Sequence, residues 1–251
     1  MDSAHLALLG AAAAAGGAVN AIAGGGSLIT FPALLACNMP AVVASATNTV
    51  AMCPGYLGAT WAQRKELAGQ RKRSLWIVPA AAVGGALGAL LLLHTNAKTF
   101  DVVVPFLLLF AVALLGFQDQ IRARLHAFAN NEALAVPIAG LAAIYGGYFG
   151  AGLGVIILAA LAIVIEDSLV RLNALKQLIS LAVNITAAIV FLVIADLDAA
   201  TILVMAGGSL VGGVVGGAIA SRVSAKLLRL LVVTIGLVVS AIYFVKLFRT
   251  L

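Results

Sequence analysis

Charge is the scarcest property of this chain. Charged residues make up 10% of its 251 positions, against roughly 25% in soluble domains. So few charges cannot coat a soluble surface of this size, and the 63% hydrophobic content points to a helical protein that crosses a membrane many times. The apolar runs are continuous and do not alternate, which argues against a transmembrane barrel. Cysteine is nearly absent. Cys37 and Cys53 both lie in apolar runs; two thiols make neither a disulfide framework nor a zinc site, and small core residues are the expected reading. His5, His94 and His126 lack metal-ligand spacing. No HExxH, GxSxG or phosphate-loop motif occurs, and no strand precedes the glycines at 150–154, so no cofactor is expected. Acids are missing from the interior of the apolar runs, which leaves no acid–base pair for an intramembrane enzyme. The net charge of +6 comes from short basic clusters between those runs. That pattern sets orientation in a membrane and does not suggest nucleic acid.

What is abundant is apolar sequence, in blocks at 4–37, 40–62, 74–95, 99–117, 133–165, 168–195, 198–221 and 226–248. A helix needs about 20 residues to cross the hydrocarbon. Blocks 4–37 and 133–165 are too long for one crossing, and each holds a glycine cluster: Gly24, Gly25 and Gly26 in the first, Gly150, Gly152 and Gly154 in the second. Each predicts two segments, the second short, or a helix followed by a re-entrant half-helix. The first stretch has no basic residues and carries Asp2, so it reads as a retained membrane segment and not a leader. Pro32, Pro54, Pro79 and Pro105 fall inside spans and are expected to mark kinks. The loop at 64–73, with Arg64, Lys65, Arg71, Lys72 and Arg73, is expected in the cytoplasm; so are Arg122 and Arg124 of the middle loop, and Arg222, Lys226 and Arg229. The turn holding Asp196 and Asp198 suits the outside. Five segments per half reconcile these assignments, leaving Lys246 and Arg249 outside.

A shift of 128 residues aligns the halves without a gap. Gly24 and Gly26 fall on Gly152 and Gly154, the GGALG stretch from Gly84 on the GGVVG stretch from Gly212, and Ala97-Lys98 on Ala225-Lys226. The basic loop at 64–73 then falls on the acidic turn around Asp196, which implies halves inserted in opposite senses. The expected fold is an all-α polytopic membrane protein of two inverted-topology repeats, about five segments each and eight to ten in all, with helices broken at the glycine clusters. Residues 1–117 form the first repeat, 118–132 a cytoplasmic connecting loop and 133–251 the second. Such repeats with broken helices mark secondary transporters, whose site lies between the repeats near the midplane. The N-terminal end of a short helix there suits an anion. For GGALG and GGVVG close helix packing is the simpler reading.

Polar residues follow both breaks. The first half has Ser45, Thr47, Asn48 and Thr49; the second has Arg171, Asn173, Lys176, Gln177 and Asn184. Under the shift Ser45 matches Asn173 and Asn48 matches Lys176. Lys176 is the one base well inside a span, where a lysine costs about 2.5–3.5 kcal/mol. Asp167 and Glu166 are too far along the helix to pair with it. It reaches an interface, finds a partner such as Asn48 or a backbone carbonyl, or serves an anion site.

The stretches AGGGSLITFPALL, AVVASATNTVAMCPGYLGA, YGGYFGAGLGVIILAAL and LNALKQLISLAVN resemble the TauE/SafE family of sulfite exporters, also called the sulfonate uptake permease family. The likeness covers nearly the whole chain. It departs at Ala160, which stands where the shift would repeat Pro32. The resemblance implies a multi-pass carrier in a bacterial inner membrane for small sulfur-containing anions such as sulfite, sulfoacetate or other sulfonates. The residues expected to bind are Gly24, Gly25, Gly26, Ser27, Ser45, Thr47 and Asn48 from one half, and Gly152, Gly154, Asn173, Lys176 and Gln177 from the other. A carrier of neutral or cationic solute, or a scaffold that transports nothing, are the alternatives.

Overall fold

The computed structural model describes residues 2–117, 120, 132–220, 222 and 225–250. Arg122, Arg124, His126 and most of the 118–132 linker lie outside the described residues, as do the side chains of Lys226, Arg229, Lys246 and Arg249. Within the described residues there are ten α-helices and no strand. The first half holds α1 (Ser3–Ile22), α2 (Ser27–Ala36), α3 (Ala41–Ala62), α4 (Arg71–His94) and α5 (Ala97–Gly116). The second holds α6 (Ala135–Tyr148), α7 (Leu153–Val164), α8 (Leu169–Ile194), α9 (Ala199–Ile219) and α10 (Ala225–Thr250). Helices α1, α4, α5, α8 and α9 are each long and apolar enough to cross a membrane alone. Helix α2, with 10 residues, is only about 15 Å long, half the hydrocarbon thickness.

The starts of α3, α4 and α5 precede those of α8, α9 and α10 by 128 positions each. Packing repeats as well: α1 lies on α9 as α6 lies on α4, α3 crosses α9 as α8 crosses α4, and α5 meets α10. Small residues set these contacts, because without a hydrophobic drive between helices in lipid, close backbone approach supplies the attraction. A β-carbon on Gly208, Gly212 or Gly216 would strike Gly10, Ala14 or Ala18 in turn, so α1 and α9 run parallel. Gly84 against Gly140 and Gly88 against Ile144 make α4 and α6 parallel too.

These directions place the ends. Helix α9 starts at the Asp198 face, so α1 starts there as well. The α2 exit returns to that face, where Cys37, Met39, Pro40 and Val43 share a cavity of about 560 Å³ with Asp196, Leu197, Asp198 and Ala199. At the opposite face Arg73 bonds Glu132 and Asp167, each at 2.9 Å, and so clamps the start of α6 to the exit of α7. The α1–α2 and α6–α7 pairs are therefore hairpins that enter and leave by one face each, from opposite faces. Of the two arrangements the sequence allowed for the overlong blocks, the structure has the re-entrant one. The helices run through Pro32, Pro54, Pro79 and Pro105 without interruption. Asp2, Asn96, Ser168 and Asp198 cap α1, α5, α8 and α9, accepting from first-turn N–H groups. The outside is apolar, with Trp76, Val193 and Leu203 at least 71% exposed, as a lipid-facing surface should be.

Candidate functional site at the meeting hairpin tips

Each hairpin turns on a glycine in left-handed conformation. Gly24 has φ +83° and Gly152, 128 positions on, has φ +76°; glycine alone adopts this region without penalty. The tips touch. A β-carbon on Gly24 would lie 3.0 Å from the carbonyl carbon of Gly154, and one on Gly154 would lie 2.9 Å from the Cα of Gly24. Gly25 packs on Leu115 and Val232, Gly26 on Gly16 and Asn20, and Gly152 on Ala111. The N–H groups of Gly25, Gly26 and Ser27 meet no acceptor among the described residues, so the electropositive start of α2 keeps unpaired donors at the tip.

Helices α3 and α8 pack on one another beside this break. Each carries polar residues at i, i+3 and i+4, which is one helix face: Ser45, Asn48 and Thr49 on α3, and their shifted equivalents Asn173, Lys176 and Gln177 on α8. All but Asn173 are buried. The α8 face closes the end of α1. Lys176 Nζ donates to the Asn20 carbonyl at 3.3 Å. Gln177 Nε2 donates to the Ala21 carbonyl at 2.9 Å and the Asn20 carbonyl at 3.3 Å. Asn173 Nδ2 donates to Ala21 at 3.3 Å and to Gln63 Oε1 at 2.8 Å. A helix C-terminus is short of donors and carries partial negative charge, so amides and an ammonium suit it.

Lys176 is 1% exposed, which removes the reading in which it reaches an interface. No carboxylate among the described residues lies within ion-pair distance of it. Its partner is a backbone carbonyl, not Asn48. Asn48 belongs to the start of α2 instead: Nδ2 donates to Ser27 Oγ at 3.2 Å, and Oδ1 accepts from Thr30 Oγ1 at 2.5 Å. Several buried polar atoms have no partner among the described residues: Ser45 Oγ, Thr47 Oγ1, Asn173 Oδ1, Gln177 Oε1 and Ser180 Oγ.

The second tip differs in chemistry. Phe149 stacks edge-on against Phe31 at 5.2 Å and Phe100 at 6.3 Å, and Tyr145 donates to the Ala151 carbonyl at 2.6 Å. Gly152 and Gly154 thus bring backbone to the meeting point, while polar side chains come from α2, α3 and α8. Sequence reasoning missed Asn20, Thr30 and Ser180. Thr30 stands one turn past Ser27, and Ser180 one turn past Gln177, so helical periodicity was an available signal. Away from the tips, burial pushes the Asp167 carboxyl up, but the Ser168 N–H, Arg73 and Arg171 outweigh it and hold it below the ordinary 3.8. Among the described residues no three His, Cys, Asp or Glu side chains gather as metal ligands.

An apolar exterior around a buried polar stripe that holds Lys176 marks a multi-pass membrane protein. A sequence profile for the family described as Sulfite exporter TauE/SafE matches residues 8–243, and the chain belongs to that family. It is 29% identical over 230 residues to a "Probable membrane transporter protein" of Haemophilus influenzae, covering 89% of this chain and 88% of that one. To the "Probable membrane transporter protein YfcA" of Escherichia coli K12 it is 28% identical, covering 90% and 84%. To the "Probable membrane transporter protein ORF9" of a Sinorhizobium species it is 29% identical, covering 92% and 89%. No solved structure matches the chain.

Proposed function

We propose that this protein is a secondary carrier of small sulfur-containing anions, sulfite, sulfoacetate or other organosulfonates, and performs no catalysis. Its halves are inverted repeats in a bacterial inner membrane with the 64–73 loop in the cytoplasm, and it works by alternating access around the meeting hairpin tips. The observation that carries this reading is Lys176: a buried lysine amine whose hydrogen-bond partner among the described residues is a neutral carbonyl. Carrying its charge in that state is costly, and an anion arriving beside it offsets the cost. The unpaired N–H groups of Gly25, Gly26 and Ser27, with the hydroxyls of Ser45 and Thr47, donate to oxyanion oxygens; Asn48 holds Ser27 in place. The family description supports sulfite as cargo.

The test is flux in proteoliposomes across a panel of sulfur oxyanions, with imposed proton and voltage gradients. Lys176→Met should abolish uptake of whichever anion is carried. Undiminished flux removes Lys176 from the site, and flux of amino acids in place of any sulfur anion removes the anion reading.

A further inference from the structure

The amide groups around Lys176 can be oriented without ambiguity. The carbonyls of Asn20 and Ala21 only accept hydrogen bonds. The nitrogens of Gln177 and Asn173 must therefore face them, at 2.9 Å and 3.3 Å from Ala21. Their oxygens are forced away from α1, and neither finds a donor among the described residues. Gln177 is 0% exposed, as is Ser180, whose Oγ is also unpaired one turn farther along the same helix. Lys176 and Gln177 share the Asn20 carbonyl at 3.3 Å each, so the positive charge and the free acceptors stand side by side.

A site of one cation and two acceptor-only oxygens is selective. An anion whose every polar atom is an acceptor satisfies Lys176 but sets its lone pairs against Gln177 Oε1 and Asn173 Oδ1. A buried acceptor left unpaired costs about as much as a lost hydrogen bond or more. An anion that also carries an O–H or N–H satisfies both.

Resting on the anion-carrier reading above, we propose that Gln177 and Asn173 are specificity-determining acceptors that select anions bearing a hydrogen-bond donor: hydroxyl- or amino-substituted sulfonates, or protonated oxyanions.

The probes are isethionate and ethanesulfonate, which differ by one hydroxyl, supplied to the full chain in proteoliposomes alone and as competitors of sulfite. Isethionate should be favoured about tenfold or more in kcat/KM, the effect expected of one unmet buried polar group. Gln177→Met, checked for folding by its thermal transition, should bring that ratio toward one; the wild-type comparison stands without it. Equal treatment of the two sulfonates, or no effect of either on sulfite flux, overturns the inference and leaves the carrier reading in place. Absence of any anion flux, sulfite included, removes the carrier reading itself.

Discussion

The Cα of Gly24 stands 2.9 Å from where a β-carbon on Gly154 would be, so two hairpins from opposite faces of the protein meet main chain to main chain.

That contact leaves no volume for a side chain. Gly154→Leu should cost about 1–3 kcal/mol through overpacking, read as a lowered thermal midpoint in detergent. Gly207, whose added β-carbon would meet nothing within 4 Å, is the control. Gly207→Ala in the body of α9 should be neutral or stabilising by a few tenths of a kcal/mol, up to about 1. Equal losses for the two variants would mean that the tips do not touch.

Lys176→Met should separate stability from transport. It removes a buried charge held by one carbonyl and replaces it with an apolar chain of similar length. Such exchanges are often neutral or stabilising. The thermal midpoint should hold or rise while anion flux is lost. A midpoint that falls by many degrees would make Lys176 a structural cap of α1 first.

The Arg73 clamp should have an acid limit. Asp167 bonds Arg73 at 2.9 Å and Arg171 at 2.8 Å. Its folded value lies below 3.8, so its contribution is complete above the unfolded value and is lost as pH falls through the lowered one. Between neutral pH and about 4 the Asp167 share of the clamp should be insensitive to pH; below 3.8 the exit of α7 should loosen. Asp167→Asn should cost about 1 kcal/mol at neutral pH and erase that acid limb. Thermal scans of both proteins across pH 3–7 report it.

Topology can be read by labelling. In a background lacking Cys37 and Cys53, single cysteines at Arg71, Glu132 and Asp167 should react from one side of the membrane, and those at Asp2, Asn38 and Asp196 from the other. A reagent that reaches Glu132 and Asp167 from different sides would show that α6 and α7 make a full crossing.

Much of this was legible in the sequence. The blocks, the glycine clusters and the 128-residue shift lead to the ten helices, because length, apolar continuity and breaker residues act locally. The candidate residues of α3 and α8 were visible as polar groups where lipid should be. Two things were not. The return of α2 and α7 to their faces of entry depends on contacts remote in sequence, such as Arg73 with Asp167 and Glu132. The partner of Lys176 is a main-chain carbonyl, and a carbonyl looks alike at every position of a sequence. Nor could the sequence show that the tip carrying Gly152 is lined by aromatic rings and packs on Ala111.

Under the shift that superposes the halves, Lys176 falls on Asn48. A carrier made of two interchangeable halves would rest equally on either side, since trading shapes between them leaves its energy unchanged. Here the trade moves an ammonium one way and a neutral amide the other. For a carrier of the kind proposed, the empty protein therefore has a preferred side on which to wait, and the arrival of a counter-charge is what levels the two.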